Sequence, residues 1–172
     1  LLINHQSFRV TGLCGTFGRP FSYLASDTLF PVPLGGWVLR NTYVIPINRD
    51  AASTITIREA LKRMEAGFTV GIFPEGTRSQ DGSVREFKPG FISLIRRSKL
   101  PVYPVGIAGA HLAMARNKGL KWRPIRIVVG KALCPQKLIE LSKKGREKEL
   151  IEFARQSVID CQTEAEEWRQ RL

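Results

Sequence analysis

The chain opens on three apolar residues, Leu1-Leu2-Ile3, and turns polar at once with Asn4-His5-Gln6-Ser7. That boundary reads as a buried strand delivering polar side chains to its end. From residue 41 onward, strand-like and helix-like patterns alternate. Tyr43-Val44-Ile45-Pro46-Ile47 predicts a short strand. Ser53 or Thr54 can cap a helix that carries Ile57, Leu61 and Met64 on one face, and Gly67 is placed to end it. Phe68-Thr69-Val70-Gly71-Ile72-Phe73 predicts the next strand, and a polar loop covers residues 74–86. Phe91, Leu94 and Ile95 mark a helix after Pro89-Gly90, and residues 101–107 mark another strand. Residues 125–129, apolar except for Arg126, supply one more. This alternation predicts an α/β fold.

The last segment has a different period. Leu150, Ala154, Val158, Cys161, Ala165, Trp168 and Leu172 recur at spacings of four and three, the stripe of a long amphipathic helix that packs on the rest. Residues 29–39 are uncharged, but a helix spanning a bilayer needs about 20 apolar residues, and Pro31 and Pro33 would break this one. The run fits contact with lipid, the lining of an apolar pocket, or ordinary core. Because the chain starts in mid-pattern without a methionine, a segment upstream is expected, and a membrane anchor could lie within it.

Composition sharpens this picture. With 172 residues and 43% hydrophobic content, the chain can build one sizeable core, which excludes intrinsic disorder. Cys14, Cys134 and Cys161 are widely spaced and odd in number, which argues against a disulfide scaffold and a cysteine zinc site. The net charge is +12, and its location matters more than its size. Residues 1–136 hold 19 basic and 7 acidic side chains, whereas residues 137–172 hold 8 of each. No acid occurs between residues 87 and 139, where Lys88, Arg96, Arg97, Lys99 and seven further Lys or Arg lie. Such a stretch suits an anionic partner or a solubilising surface. Nucleic acid is not expected, because neither zinc-finger spacing nor basic strands studded with aromatics are present.

Three polar stretches could carry chemistry. His5 would sit at the mouth of the sheet, where ligands of α/β proteins bind, and an imidazole offers a neutral base near pH 7. In Phe73-Pro74-Glu75-Gly76-Thr77-Arg78-Ser79, Pro74 and Gly76 force a tight turn. Its N–H groups, the Thr77 hydroxyl and the Arg78 guanidinium could then converge on a phosphate. An ion pair between Glu75 and Arg78 would be the plainer use of the same residues. Ile45-Pro46-Ile47-Asn48-Arg49 delivers Arg49 at a strand end. His111, among small apolar neighbours, fits a packing role.

Taken together and in this order, the stretches resemble the glycerolipid acyltransferase family. Asn4-His5-Gln6-Ser7 resembles the first half of the family's opening NHxSxxD block. Residues 45–49 resemble its second block, residues 73–79 its third and residues 101–107 its fourth. Phe87-Lys88-Pro89-Gly90 stands where the family has a similar turn containing a lysine. The resemblance spans residues 3–129. It implies a mixed, largely parallel central sheet flanked by helices. Residues 1–136 would form the acyltransferase core, and residues 137–172 a helical segment packing on it. It also implies an O-acyltransferase that moves an acyl chain from acyl-CoA or acyl-carrier protein to lysophosphatidic acid or a related lysophospholipid. The setting would be phospholipid biosynthesis at the cytoplasmic face of an anionic membrane. His5 would be the general base. Arg49 and Arg78 would hold the acceptor phosphate, with Lys88 nearby, and Glu75, Gly76 and Thr77 would shape that side of the pocket. No metal or other cofactor would be needed.

Two positions depart from the family pattern. Val10 stands where the family has an aspartate that holds the other imidazole nitrogen, and valine can neither accept a hydrogen bond nor offset imidazolium charge. Ser26 and Asp27 lie where many members carry a basic residue for phosphate. The sequence therefore leaves three readings: Asp27 reaching His5 in the fold, an acyltransferase with an altered base, and a catalytically impaired module of that fold that binds anionic lipid.

Overall fold

The computed structural model describes residues 1–6, 20–26, 43–47, 54–113 and 123–171. By internal contacts the chain divides into two units, Leu1–Val10 with Phe73–Leu172, and Thr11–Ile72.

The smaller unit contains strands β2 (Phe21–Ser26) and β3 (Val44–Ile47), helix α1 (Thr54–Glu65) and strand β4 (Thr69–Gly71). The three strands are parallel in the order β3-β2-β4, with Tyr23 opposite Val44 and Phe21 opposite Thr69. Pro46 lacks the donor a central strand needs, and β3 lies at the edge of this sheet among the described residues. Phe21, Tyr23 and Val44 are buried on one face of this sheet and Ile45 and Val70 on the other, and the buried Ser22 hydroxyl donates to the Tyr43 carbonyl. The helix expected here forms, but its innermost residues are Thr56 and Ala60, whereas Ile57, Leu61 and Met64 are half-buried. The expected face is thus turned by about one position, because small residues let the helix come closer to the strands. Gly67, at φ +84°, ends α1 as expected: its N–H donates to Met64 and that of Phe68 to Arg63.

The larger unit holds β1 (Leu2–Ile3), a single 3₁₀ turn at Pro89–Phe91, and helix α2 (Ile92–Ser98). Then come β5 (Pro104–Ala108), the short α3 (Ala110–Ala113), β6 (Arg126–Val129), α4 (Pro135–Leu141) and the 24-residue α5 (Glu147–Gln170). Its sheet has the order β1-β5-β6, with β1 parallel and β6 antiparallel to β5. Every residue of the central strand β5 is buried.

Helix α5 lies on β5 with no side chain between them at one point. A Cβ built on Gly106 would stand 2.1 Å from the Gln162 nitrogen and 2.2 Å from the Cys161 carbonyl carbon. The predicted stripe is the buried face over Leu150, Ala154, Val158, Cys161 and Ala165. Trp168 departs from it at 52% exposed, with the Arg126 guanidinium 4.8 Å from its ring centre. The stripe ends there because the edge strand β6 presents a cation in place of an apolar surface, and a cation over an aromatic face is itself a favourable contact. Leu172 lies outside the described residues. Arg96 of α2 ties down the start of α5 by donating to Glu147 at 2.8 Å.

The close approach at Gly106 makes a quantitative claim. Gly106→Ala has to move α5 off the strand, and overpacking of this kind costs about 1–3 kcal/mol. Gly67→Ala meets open space and loses only about 1 kcal/mol to its left-handed backbone. Urea unfolding of the two variants should rank them in that order.

Candidate active site

β1 ends after two residues, yet its pairing with β5 continues by other means. The N–H of Asn4 still donates to Val105, at 3.4 Å. Its buried side chain then takes over: Nδ2 donates to the Ile107 carbonyl at 2.9 Å, and Oδ1 accepts the Ile107 N–H at 2.7 Å. One amide group thus satisfies the donor and acceptor that the Asn4 carbonyl and the Gln6 N–H of a longer strand would have satisfied. The main chain is released from the sheet at His5.

The polar loop that follows β4 in the chain receives it there. The His5 N–H donates to Glu75 Oε1 at 2.6 Å, and the His5 carbonyl accepts the Ser79 N–H at 2.7 Å. The imidazole stacks on the Phe73 ring, centroids 4.6 Å apart and planes inclined by 29°. Phe73, Glu75 and Ser79 therefore hold both ends of the His5 peptide and one face of its ring.

The loop is itself braced. The Gly76 N–H donates to Phe73 at 3.1 Å, closing a turn that leaves Gly76 at φ +66°. A Cβ at Gly76 would stand 3.0–3.2 Å from Cδ, Cε and Nζ of Lys88, so a glycine there gives the lysine stem its place. The Lys88 N–H donates to Pro74 at 2.8 Å. Asp81 accepts the Ser79 hydroxyl, the Ser83 hydroxyl and the Ser83 N–H, which hold its carboxyl well below the usual range. Thr77 and Arg78 are exposed on the same turn.

Glu75 is 2% exposed, and its two oxygens are engaged with main chain: Oε1 with His5 and Oε2 with the Arg85 N–H at 3.1 Å. Burial pushes its pKa up, and the two hydrogen bonds with the nearby Arg85 and Arg155 charges oppose that rise without cancelling it. The ion pair with Arg78 that the sequence allowed is not what occupies this carboxylate.

Gln6 is the residue that sequence reasoning passed over. Its buried side chain donates to the Gly82 carbonyl at 2.9 Å and accepts the Ala110 N–H at 3.1 Å, joining the end of β1 to the loop and to α3. The packing role expected of His111 takes the form of contact with this hub, Nδ1 lying 3.4 Å from Gln6 Oε1. The ring fills the space beside Gly82 and burial lowers its pKa. Adjacency to Asn4-His5 was the only signal for Gln6.

Of the residues singled out in sequence, the structure brings together His5 with Glu75, and Gly76 with Lys88, on one loop system that also exposes Thr77 and Arg78. Arg49, Val10 and Asp27 lie outside the described residues, as does the side chain of Ser26. Among the described residues no three His, Cys, Asp or Glu cluster as metal ligands, and no helix is long and apolar enough to cross a membrane.

A family model described as Acyltransferase matches residues 1–108. The chain belongs to the acyltransferase family. Among similar acyltransferases is a 1-acyl-sn-glycerol-3-phosphate acyltransferase of Chlamydomonas reinhardtii, 33% identical over 159 residues, which cover 90% of this chain and 46% of that protein. A chloroplastic one from Brassica napus is 28% identical over 149 residues, covering 84% of this chain and 43% of the relative. The crystal structure of the 1-acyl-sn-glycerophosphate acyltransferase of Thermotoga maritima superimposes with a TM-score of 0.70 at 25% identity, covering 92% of this chain and 64% of that one. The chain thus spans less than half the length of these two algal and plant acyltransferases. The α/β fold and the family expected from sequence both hold.

Two outcomes test the site's construction. Asn4→Ala strands a buried donor and a buried acceptor on Ile107 and should cost about 3 kcal/mol in urea unfolding. Asn4→Asp, which sets a buried carboxylate against the Ile107 carbonyl, should cost at least as much. For Glu75 the native pKa lies above the unfolded value, so the native state binds more protons through the window rising from 4.5. Its contribution to stability should therefore fall as pH rises through that window. A Glu75→Gln protein that kept the wild-type slope there would contradict this.

Proposed function

We propose that this chain is the catalytic core of an O-acyltransferase. It transfers an acyl chain from acyl-CoA or acyl-carrier protein to the free hydroxyl of lysophosphatidic acid or a related lysophospholipid, in phospholipid biosynthesis. The observation that carries the reading is the grip of residues 73–79 on His5: two stretches 70 positions apart in sequence meet through the 2.6 Å bond from His5 to Glu75. The grip is on the main chain of His5, and its imidazole lies on the Phe73 ring.

In this reading His5 takes the proton of the acceptor hydroxyl as the oxygen attacks the thioester carbonyl. The carbon–sulfur bond then breaks, and the thiolate leaves with the proton that His5 returns. A positioned base of this kind contributes 10²–10⁴-fold in rate, and no covalent enzyme intermediate is needed. Arg78, Lys88 and Arg49 hold the acceptor phosphate, Gly76 and Thr77 shape the turn beneath it, and Glu75 acts from behind His5. The acid-free run over residues 87–139 faces anionic lipid at the cytoplasmic face of a membrane, where a basic surface gains about 1 kcal/mol per Lys or Arg near the headgroups. The acceptor is inferred through relatives named for 1-acyl-sn-glycerol-3-phosphate acylation, and the membrane setting through the charge of this chain.

Val10 favours a second reading, an impaired acyltransferase module that binds anionic lipid, since a missing aspartate in a comparable triad lowers turnover about 10⁴-fold. Transfer of radiolabelled acyl groups to lysophosphatidic acid separates the two. Under the first, His5→Ala loses at least about 100-fold in kcat and Arg78→Ala raises KM for the acceptor. Under the second, wild-type protein releases no thiol from acyl-CoA yet binds anionic vesicles, and His5→Ala binds them equally.

A further inference from the structure

Helix α5 lies beyond the residues that the family model matches, yet one of its side chains reaches the network behind His5. Arg155, at the rim of the buried stripe beside Ala154, donates from Nη2 to the Val84 carbonyl at 3.2 Å and from Nε to the Arg85 carbonyl at 3.1 Å. The Val84 carbonyl and the Arg85 N–H belong to one peptide unit. In a planar trans peptide these two groups point in opposite directions, so fixing the carbonyl aims the N–H. That N–H donates to Glu75 Oε2 at 3.1 Å, and Glu75 Oε1 accepts the His5 N–H at 2.6 Å.

We propose that Arg155 is a positioning residue for His5: it grips the 84–85 peptide from its carbonyl side and so fixes the carboxylate that carries the His5 main chain. The proposal rests on His5 being the base. Arg155 acts through two intermediates and touches no substrate. Its planar fork suits the task, because it can hold two successive carbonyls at once, whereas a lysine ammonium offers a point charge without a fixed fork. The Glu152 carboxylate 3.4 Å away is mostly exposed and leaves the fork's other nitrogens to the loop. The C-terminal helix thereby has a part in the site as well as in the core.

The test uses the two histidines of the chain. Protein labelled with ¹⁵N only in histidine gives two main-chain amide signals, and the one that persists in His111→Gln is His5. Its short bond to a carboxylate should place it far downfield. In Arg155→Met this signal should move upfield and exchange with solvent about tenfold faster, with Arg155→Lys in between. Arg146→Ala, which removes exposed pairs with Glu140 and Glu149 on the same part of the chain, should leave it in place. In the transfer assay Arg155→Met should lower kcat about tenfold with KM for lysophosphatidic acid unchanged. An unmoved His5 amide in Arg155→Met, or an equal shift in Arg146→Ala, overturns the proposal. If Arg155→Met does not fold, Arg155→Lys, which keeps charge and stem, decides by the same signal. Full activity in His5→Ala overturns the base reading instead, and the amide signals still report whether Arg155 holds the His5 main chain.

Discussion

The geometry around His5 depends on an exchange of hydrogen bonds at the end of β1. A parallel strand that ran on would commit the main chain to β5. Here the Asn4 side chain takes both polar groups of Ile107, and the main chain leaves the sheet one residue later. Had the strand run on, the Asn4 carbonyl and the Gln6 N–H would have been held on Ile107 instead, whereas the His5 N–H and carbonyl, on the strand's other edge, meet Glu75 and Ser79. An asparagine is suited to this because its side-chain amide presents an acceptor and a donor side by side. The opening motif is thus structural at its asparagine, one residue before the proposed base.

Behind the histidine lies a buried carboxylate with no side-chain cation on its oxygens among the described residues. Glu75 is stabilised by two main-chain N–H groups and by the more distant charges of Arg85 and Arg155. Leaving such a group unpaired would cost several kcal/mol, so its partners cannot be lost one at a time without consequence. This links three segments remote in sequence: the end of β1, the 73–86 loop and α5. The imidazole is oriented through its peptide and the Phe73 ring. A carboxylate can therefore help orient a catalytic-type histidine without touching its ring.

Much of this was legible in sequence because its causes are local. The glycine at position 67 ends α1 by its φ, and the four-and-three spacing of α5 marks five residues that are buried. The motif residues His5, Glu75, Gly76 and Lys88 were identified as a group, and they do meet on one loop system. What sequence could not give was direction. Glu75 reads as a polar group facing a ligand, but its oxygens point inward, because whether a loop carboxylate is buried depends on segments far away in the chain. Gln6 and Arg155 were invisible for the same reason: their partners are main-chain groups 76 and 70 positions distant, and a carbonyl leaves no trace in composition. Trp168 failed the stripe because periodicity says which face a residue is on, and not what the neighbouring strand presents to it.

The contact at Gly106 bears on where this fold can be divided. The family model stops at residue 108, the last residue of β5, while the backbone of α5 sits directly on that strand some fifty residues later. A boundary drawn where that match ends would separate a strand from its own cover. The matched part is therefore not a part that can be lifted out whole. Divergence in the C-terminal helix is constrained by a hydrogen atom in place of a side chain on the other side of that line.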